Sequence, residues 1–371
     1  MIMPFMIIYF RNLNFSFFQI AIITATFSIS MFLFEIPTGA FADGFSRKYS
    51  VILGFFITAI AVILIPLTTN FYLLLPLWFL AGIGMTFVSG AEESWVIDNL
   101  NKYKRKDLHH EFFIKSQSLA AFGVIFAPFI GAVIVKVHSI SILWFIFGFG
   151  FLLNAMILFL FGKEYYKPKK VKIFEALRGT YKNSKKALKF TVSHKIVFLI
   201  ILGVLFTGLM VIGGDGFQPF LVSLSMPAYQ LGYMYSIMAA LIIVTSFLSR
   251  LFVRFKPKHL VSSIIFIRML MLLSLLFIHP PWYIVAAFIF IIEGALSSLK
   301  GPILQTYLHK FIPKNIRATV ISTKNMATTL VIGLFSLIAG VFLDIFGPQK
   351  VLAYGSLFGI FAIIAYLKIK D

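Results

Sequence analysis

The chain has 371 residues, of which 60% are hydrophobic and 12% charged, and it contains no cysteine. An average soluble domain is about 25% charged, so this composition cannot cover a soluble surface, and the lack of thiols excludes disulfides, thiolate metal sites and thiol redox chemistry. The net charge of +20 raises nucleic acid as a partner, but the basic residues sit in loops between oily runs, where anionic lipid headgroups account for them and no nucleic acid is needed.

The first element is a short apolar stub, "MIMPFMIIYF", too short to cross a bilayer alone. Apolar spans follow at 17–42, 49–68, 71–97, 112–136, 139–162, 196–221, 229–251, 259–279, 281–304, 318–345 and 349–368. Each is near the ~20 residues that cross a ~30 Å hydrocarbon core. The runs are continuously apolar rather than alternating, which predicts helices and excludes a β-barrel.

Basic residues fall on alternate loops: Arg47 and Lys48; Lys102, Lys104, Arg105 and Lys106; the 163–195 segment; Arg250, Arg254, Lys256 and Lys258; Lys310, Lys314 and Arg317; Lys368 and Lys370. The opposite loops hold only Arg11, Lys136 and Lys350. This asymmetry predicts that the basic loops and the C-terminus are cytoplasmic. The 163–195 segment reads as a cytoplasmic linker, with a surface-lying helix over 173–192. It divides the chain into an N-terminal bundle, 1–162, and a C-terminal bundle, 196–371.

The halves look duplicated. "KSQSLAAFGVIFAPFIGAVI" from Lys115 parallels "KNMATTLVIGLFSLIAGVFL" from Lys324, at an offset of 209 residues. "FRNLNFSFFQIA" parallels "FLVSLSMPAYQLG", with Gln19 and Gln230 offset by 211. Internal repeats of this kind build many transporters. The repeat implies a six-plus-six design whose first helix is cut short in this sequence.

The stretch "EIPTGAFADGFSRKYS" places Glu35, Asp43, Arg47 and Lys48 between two spans. Gly39 and Asp43 share a helix face; Gly39 is expected to admit a neighbouring helix. Asp43 lies at a helix C-terminus, where the dipole disfavours negative charge, so it needs a partner, either Arg47 or a facing helix N-terminus. Arg47 is four residues on, and Asp98 in "SGAEESWVIDNL" lies at the same depth. The expectation is an ionic cluster on the cytoplasmic side that holds one conformation closed. Glu35 reads as part of an "EIPTG" turn.

"GAFADGFSRK" resembles the loop motif of the major facilitator superfamily between its second and third helices. Gly39, Asp43, Arg47 and Lys48 match it, while Gly44 and Ser46 stand where an arginine and a glycine are usual. "EIPTG", "SGAEESWVIDNL", "GGDGFQPFL" and "IPKNIRATVIST" are similar to other stretches of the same superfamily, in the expected order. The resemblance implies an all-α membrane fold of two pseudo-symmetric six-helix bundles working by alternating access. It also implies that Gly39, Asp43, Arg47, Lys48 and Asp98 form a cytoplasmic gate. "GVIFAPFIGA" is similar to the fifth-helix antiporter motif, keeping Gly123, Pro128 and Gly131.

A charge at mid-bilayer costs about 2.5–3.5 kcal/mol on insertion scales, so each has a reason. Glu293, Asp215, Glu92, Glu93, Arg268 and Glu35 are the candidates for coupling or substrate binding. The resemblance puts Glu293, Asp215, Glu92 and Glu93 on helices around the cavity. Burial raises a carboxylate's pKa, as a proton carrier requires, and Glu293 leads on that ground. The alternative is a structural Arg268–Glu293 pair between adjacent helices. Asp215, between "GG" and "GFQP", reads first as the cap of a broken helix.

No histidine lies mid-span, "HHE" at 109–111 lacks zinc-site spacing, and no P-loop occurs. The expectation is a monomeric secondary transporter in a bacterial cytoplasmic membrane, without cofactor. It exports a small, rather apolar compound in exchange for protons. The alternatives are uptake or facilitated passage of a sugar or metabolite and, from another class, an integral-membrane lipid-modifying enzyme.

Overall fold

The computed structural model describes residues 1–166, 168, 188–252, 254–313 and 316–369. The linker read at 163–195 and its surface helix lie mostly outside them. Among the described residues the secondary structure is helical, without strands.

In chain order the helices are α1 (Met6–Asn12), α2 (Phe17–Gly44), α3 (Arg47–Leu64), α4 (Phe71–Val88), α5 (Ala91–Lys102), α6 (Leu108–Val137) and α7 (Ser141–Phe161). Then come α8 (Lys195–Leu209), α9 (Phe217–Ser223), α10 (Gln230–Leu248), α11 (Pro257–Ser274), α12 (Tyr283–Phe311), α13 (Arg317–Phe346), α14 (Pro348–Gly355) and α15 (Phe358–Leu367). Among the described residues eleven helical stretches are long and apolar enough to span a membrane, and each overlaps one expected span.

Three spans carry features that hydropathy does not register. Gly90, at φ +69°, separates α4 from α5; a side chain is strained in that left-handed region. A short 3₁₀ turn, Gly214–Gly216, interrupts the span made by α8 and α9. The "EIPTG" stretch is not a turn: α2 runs through it with Pro37 inside. Thr38 Oγ1 donates to the Phe34 carbonyl at 2.7 Å, while the carbonyl that Pro37 leaves without its helical donor is that of Leu33.

Contacts group the described residues into two compact units. One comprises Met1–Ile2, Ile22–Phe126 and Val133–Thr180, and the other Met3–Ala21, Ala127–Ala132 and Tyr181–Asp371.

In the first unit α3 is central, packed on α4, α5 and α7. Small residues allow this. A Cβ on Gly84 of α4 would meet the Gly54 carbonyl oxygen and the Thr58 nitrogen of α3, each at 2.8 Å. A Cβ on Gly148 of α7 would press on Ala59 and Ile63. Close backbone approach replaces the hydrophobic drive that lipid removes. Edge-on aromatic contacts of Phe27 with Trp78 and Trp78 with Trp144 fill the wider gaps.

In the second unit α8 packs on α15, with Gly203 seated on the Tyr366 ring, and α12 packs on α10 and α11. The N-terminal pieces join this unit through specific contacts. Asp344 of α13 accepts from the Phe17 and Phe18 amides at 2.8 and 3.0 Å, so it caps the N-terminus of α2. Gly340, one turn earlier, lies against the Phe17 and Phe18 backbone. Gly232 of α10 lies against the Pro128 carbonyl and Ala132.

The duplicated segments share one turn. Asn14 and Ser225, 211 residues apart, are both in the left-handed region, at φ 63° and 74°. Phe15 N donates to Phe10 O at 3.2 Å, and Met226 N donates to Leu221 O at 3.1 Å. This is the bond that closes a helix with a left-handed residue, and it recurs at the offset read from Gln19 and Gln230.

Candidate functional site

Two polar clusters interrupt the apolar fold, one in each unit. The first lies where α2, α3 and α5 meet. Asp43 ends α2 and Arg47 begins α3, so four residues of chain bring them together. Arg47 Nη2 donates to Asp43 Oδ1 at 2.9 Å, and Nη1 donates to Asp98 Oδ2 of α5 at 2.7 Å. The guanidinium is thus shared between two carboxylates, the geometry its fork of donors favours.

Tyr166 completes the cluster, unforeseen from the sequence. Its ring lies 4.2 Å from the Arg47 guanidinium carbon, and its hydroxyl donates to the Asp43 carbonyl at 3.0 Å. Burial, followed by the Asp43 charge, raises its phenol above the ordinary value. The only sequence signal was "KEYYKP", a clustering of acid and aromatics just past α7.

Two expected members stand elsewhere. Lys48 points away from Asp43: its Nζ donates to the Phe159 carbonyl near the C-terminus of α7 at 3.2 Å. The side chain at 48 leaves the helix about 100° from that at 47, so one turns to α5 and the other to α7. Glu164, just past α7, answers by accepting from Lys48 N at 2.8 Å and from Ser46 Oγ. Each helix end thereby receives the charge its dipole favours. Around Gly39, nothing among the described residues of its own unit lies within 4 Å of where its Cβ would be. The close approaches belong to Gly54, Gly82 and Gly84.

The second cluster is inside the other unit. Arg268 of α11 and Glu293 of α12 are 1% and 6% exposed. Arg268 Nε donates to Glu293 Oε1 at 2.9 Å, and Nη2 donates to the same oxygen. The structural pair weighed from the sequence is therefore present. It borders a cavity of 470 Å³ lined also by Phe217, Met234, Tyr235, Met238 and Ser297. Gln218 Nε2 donates to the Tyr235 hydroxyl at 2.6 Å. Asp215 sits in the Gly214–Gly216 turn that breaks the span, between two residues of the cavity wall.

The other candidate acids belong to the first unit. Glu92 borders a cavity of 330 Å³ there, with Val51, Phe55, Asn154 and Phe161. Glu93 is exposed. Glu35 is exposed and accepts from Ser89 Oγ at 3.3 Å. In the fifth-helix motif, Pro128 and Gly131 are buried within an unbroken α6, while Gly123 is open.

The Major Facilitator Superfamily model matches residues 1–334. An uncharacterized MFS-type transporter of Bacillus subtilis strain 168, YxaM, is 26% identical over 391 residues, covering 99% of this chain and 92% of that protein. The nucleoside transporter NupG superposes with a TM-score of 0.75 at 15% identity, covering 97% of this chain and 93% of NupG. A bacterial homolog to the human lysosomal transporter Spinster, inward-facing and unoccupied, gives 0.74 at 17% identity, covering 98% and 91%. These two likenesses establish the fold. With the family match over most of its length, the chain belongs to the Major Facilitator Superfamily and is a multi-pass membrane transporter.

Proposed function

We propose that the protein is a proton-coupled secondary transporter that exports a small, largely apolar compound by alternating access. The observation that carries this reading is the Arg268–Glu293 pair at the wall of the 470 Å³ cavity. A buried carboxylate beside a ligand-sized space can exchange its bond to Arg268 for a proton, linking protonation to cavity occupancy. Antiport is favoured by Gly123, Pro128 and Gly131, the part of the fifth-helix motif this chain keeps.

The Asp43–Arg47–Asp98 cluster acts as the latch of the cytoplasmic side. Its place beside the basic loops, in a bacterial cytoplasmic membrane with those loops inside, supports this role. The protein works as a monomer and is not an enzyme. No recognisable catalytic spacing occurs in its sequence, against the lipid-modifying alternative.

The test is transport in proteoliposomes with and without an imposed pH gradient, against amphiphiles, drugs, sugars and, since NupG is a nucleoside transporter, nucleosides. A pH gradient should drive accumulation, and Glu293→Gln should abolish it while leaving exchange. Gradient-driven transport unchanged in Glu293→Gln removes this residue from coupling. Transport indifferent to the gradient replaces export by antiport with facilitated passage.

A further inference from the structure

The Arg268–Glu293 pair leaves part of the guanidinium unused. Nε and Nη2 both donate to one oxygen, Glu293 Oε1, so the second nitrogen of the fork, Nη1, is not engaged by the carboxylate. Nη1 is buried and has no hydrogen-bond partner among the described residues. Arg268 itself borders the 470 Å³ cavity. A buried cationic donor without an acceptor is costly, and the accessible remedy is an acceptor arriving in the cavity.

The surroundings say what kind of acceptor. A guanidinium carries only donors and stays charged, so an anionic acceptor is favoured over a neutral one and a cation is disfavoured. Most of the remaining wall is apolar, apart from Tyr235, Ser297 and Ser298: the Phe217 and Phe290 rings have centroids 4.2 Å apart, and Met234, Met238 and Ile242 also line it. The volume lies within the ~300–1,000 Å³ of small-molecule sites.

We propose that this cavity binds a small organic acid with an apolar body, its carboxylate accepting from Arg268 Nη1 and its hydrocarbon part resting on the Phe217–Phe290 pair. The assignment rests on the transporter reading above and names its substrate class. A charge-assisted bond from arginine to a carboxylate is about twice as strong as a neutral one. An uncharged analogue of the same shape must bind more weakly, and an amine more weakly still.

The test is calorimetric binding to the purified full chain in detergent, using phenylacetate and octanoate, their neutral amides, and phenethylamine. The acids should bind saturably, at least tenfold tighter than the amides, with the amine weakest. In the double variant Arg268→Gln with Glu293→Gln, which leaves no unpaired charge, the preference for acid over amide should vanish. If that variant does not fold, Arg268→Lys keeps the charge but loses the fork, and should weaken acid binding at least tenfold. Equal binding of acid and amide, tighter binding of the amine, or acid binding unchanged in these variants overturns the assignment. Selective acid binding without gradient-driven translocation of phenylacetate in proteoliposomes upholds the cavity and rejects proton-coupled export. Gradient-driven transport of a neutral or cationic compound with no acid binding does the reverse.

Discussion

Arg47 donates to Asp98 at 2.7 Å, joining the start of α3 to α5. The same guanidinium meets Asp43 at 2.9 Å, yet the two carboxylates are unequal. Asp98 is 26% exposed and Asp43 48%. Water screens the more exposed pair, so Asp98 is the stronger partner.

Asp98→Asn should therefore lower stability by about 1.5 kcal/mol, in the range for hydrogen bonds to charged groups, and Asp43→Asn by no more than about 0.5 kcal/mol. Thermal unfolding in detergent measures both. Equal losses would show that Asp98 has no special hold on Arg47.

The Arg268–Glu293 pair should behave differently in single and double variants. Arg268→Leu leaves Glu293 buried without a counter-charge, at a cost of about 3–5 kcal/mol. Adding Glu293→Leu should restore most of that stability, because a well-packed apolar pair often matches a buried ion pair. Unfolding midpoints of the two variants against the parent provide the comparison. A double variant as unstable as the single one would mean that the pair contributes more than mutual neutralisation.

Asp344 takes both the Phe17 and Phe18 amides. Asp344→Ala removes this cap and should cost about 1–2 kcal/mol, while Asp344→Asn retains an acceptor and should cost less. Hydrogen exchange at the first turn of α2 should rise in the alanine variant. Unchanged protection there would show that the cap is dispensable.

Gly39 and Gly84 make opposite predictions. Gly39→Ala meets nothing within 4 Å and should gain about 0.5–1 kcal/mol from helix propensity. Gly84→Val places its side chain where Gly54 O and Thr58 N stand 2.8 Å from the added Cβ, and should cost 1–3 kcal/mol or so by overpacking. Melting temperatures on one preparation of each variant decide both.

Much of this was already legible in the chain. Crossing a bilayer depends on the summed hydropathy of about twenty consecutive residues, and the spans accordingly fell where the oily runs lie. Duplication was visible in Gln19 and Gln230, and it returned as the same left-handed turn at Asn14 and Ser225. The contacts of Arg47 with Asp43 and Asp98 could be anticipated because intramembrane charges must find partners and few stand at that depth.

Tertiary structure alone decided which way each side chain turns and what it meets. Helices of similar hydropathy can rotate about their axes without changing the pattern in the sequence. Rotation sends Lys48 to α7 and Arg47 to α5, and puts the tight crossing within the first unit at Gly84. It also lets Asp344 reach the start of α2 from 327 residues away. Hydropathy sums over a stretch and is blind to direction, whereas packing and hydrogen bonding act between particular faces that only the folded chain brings together.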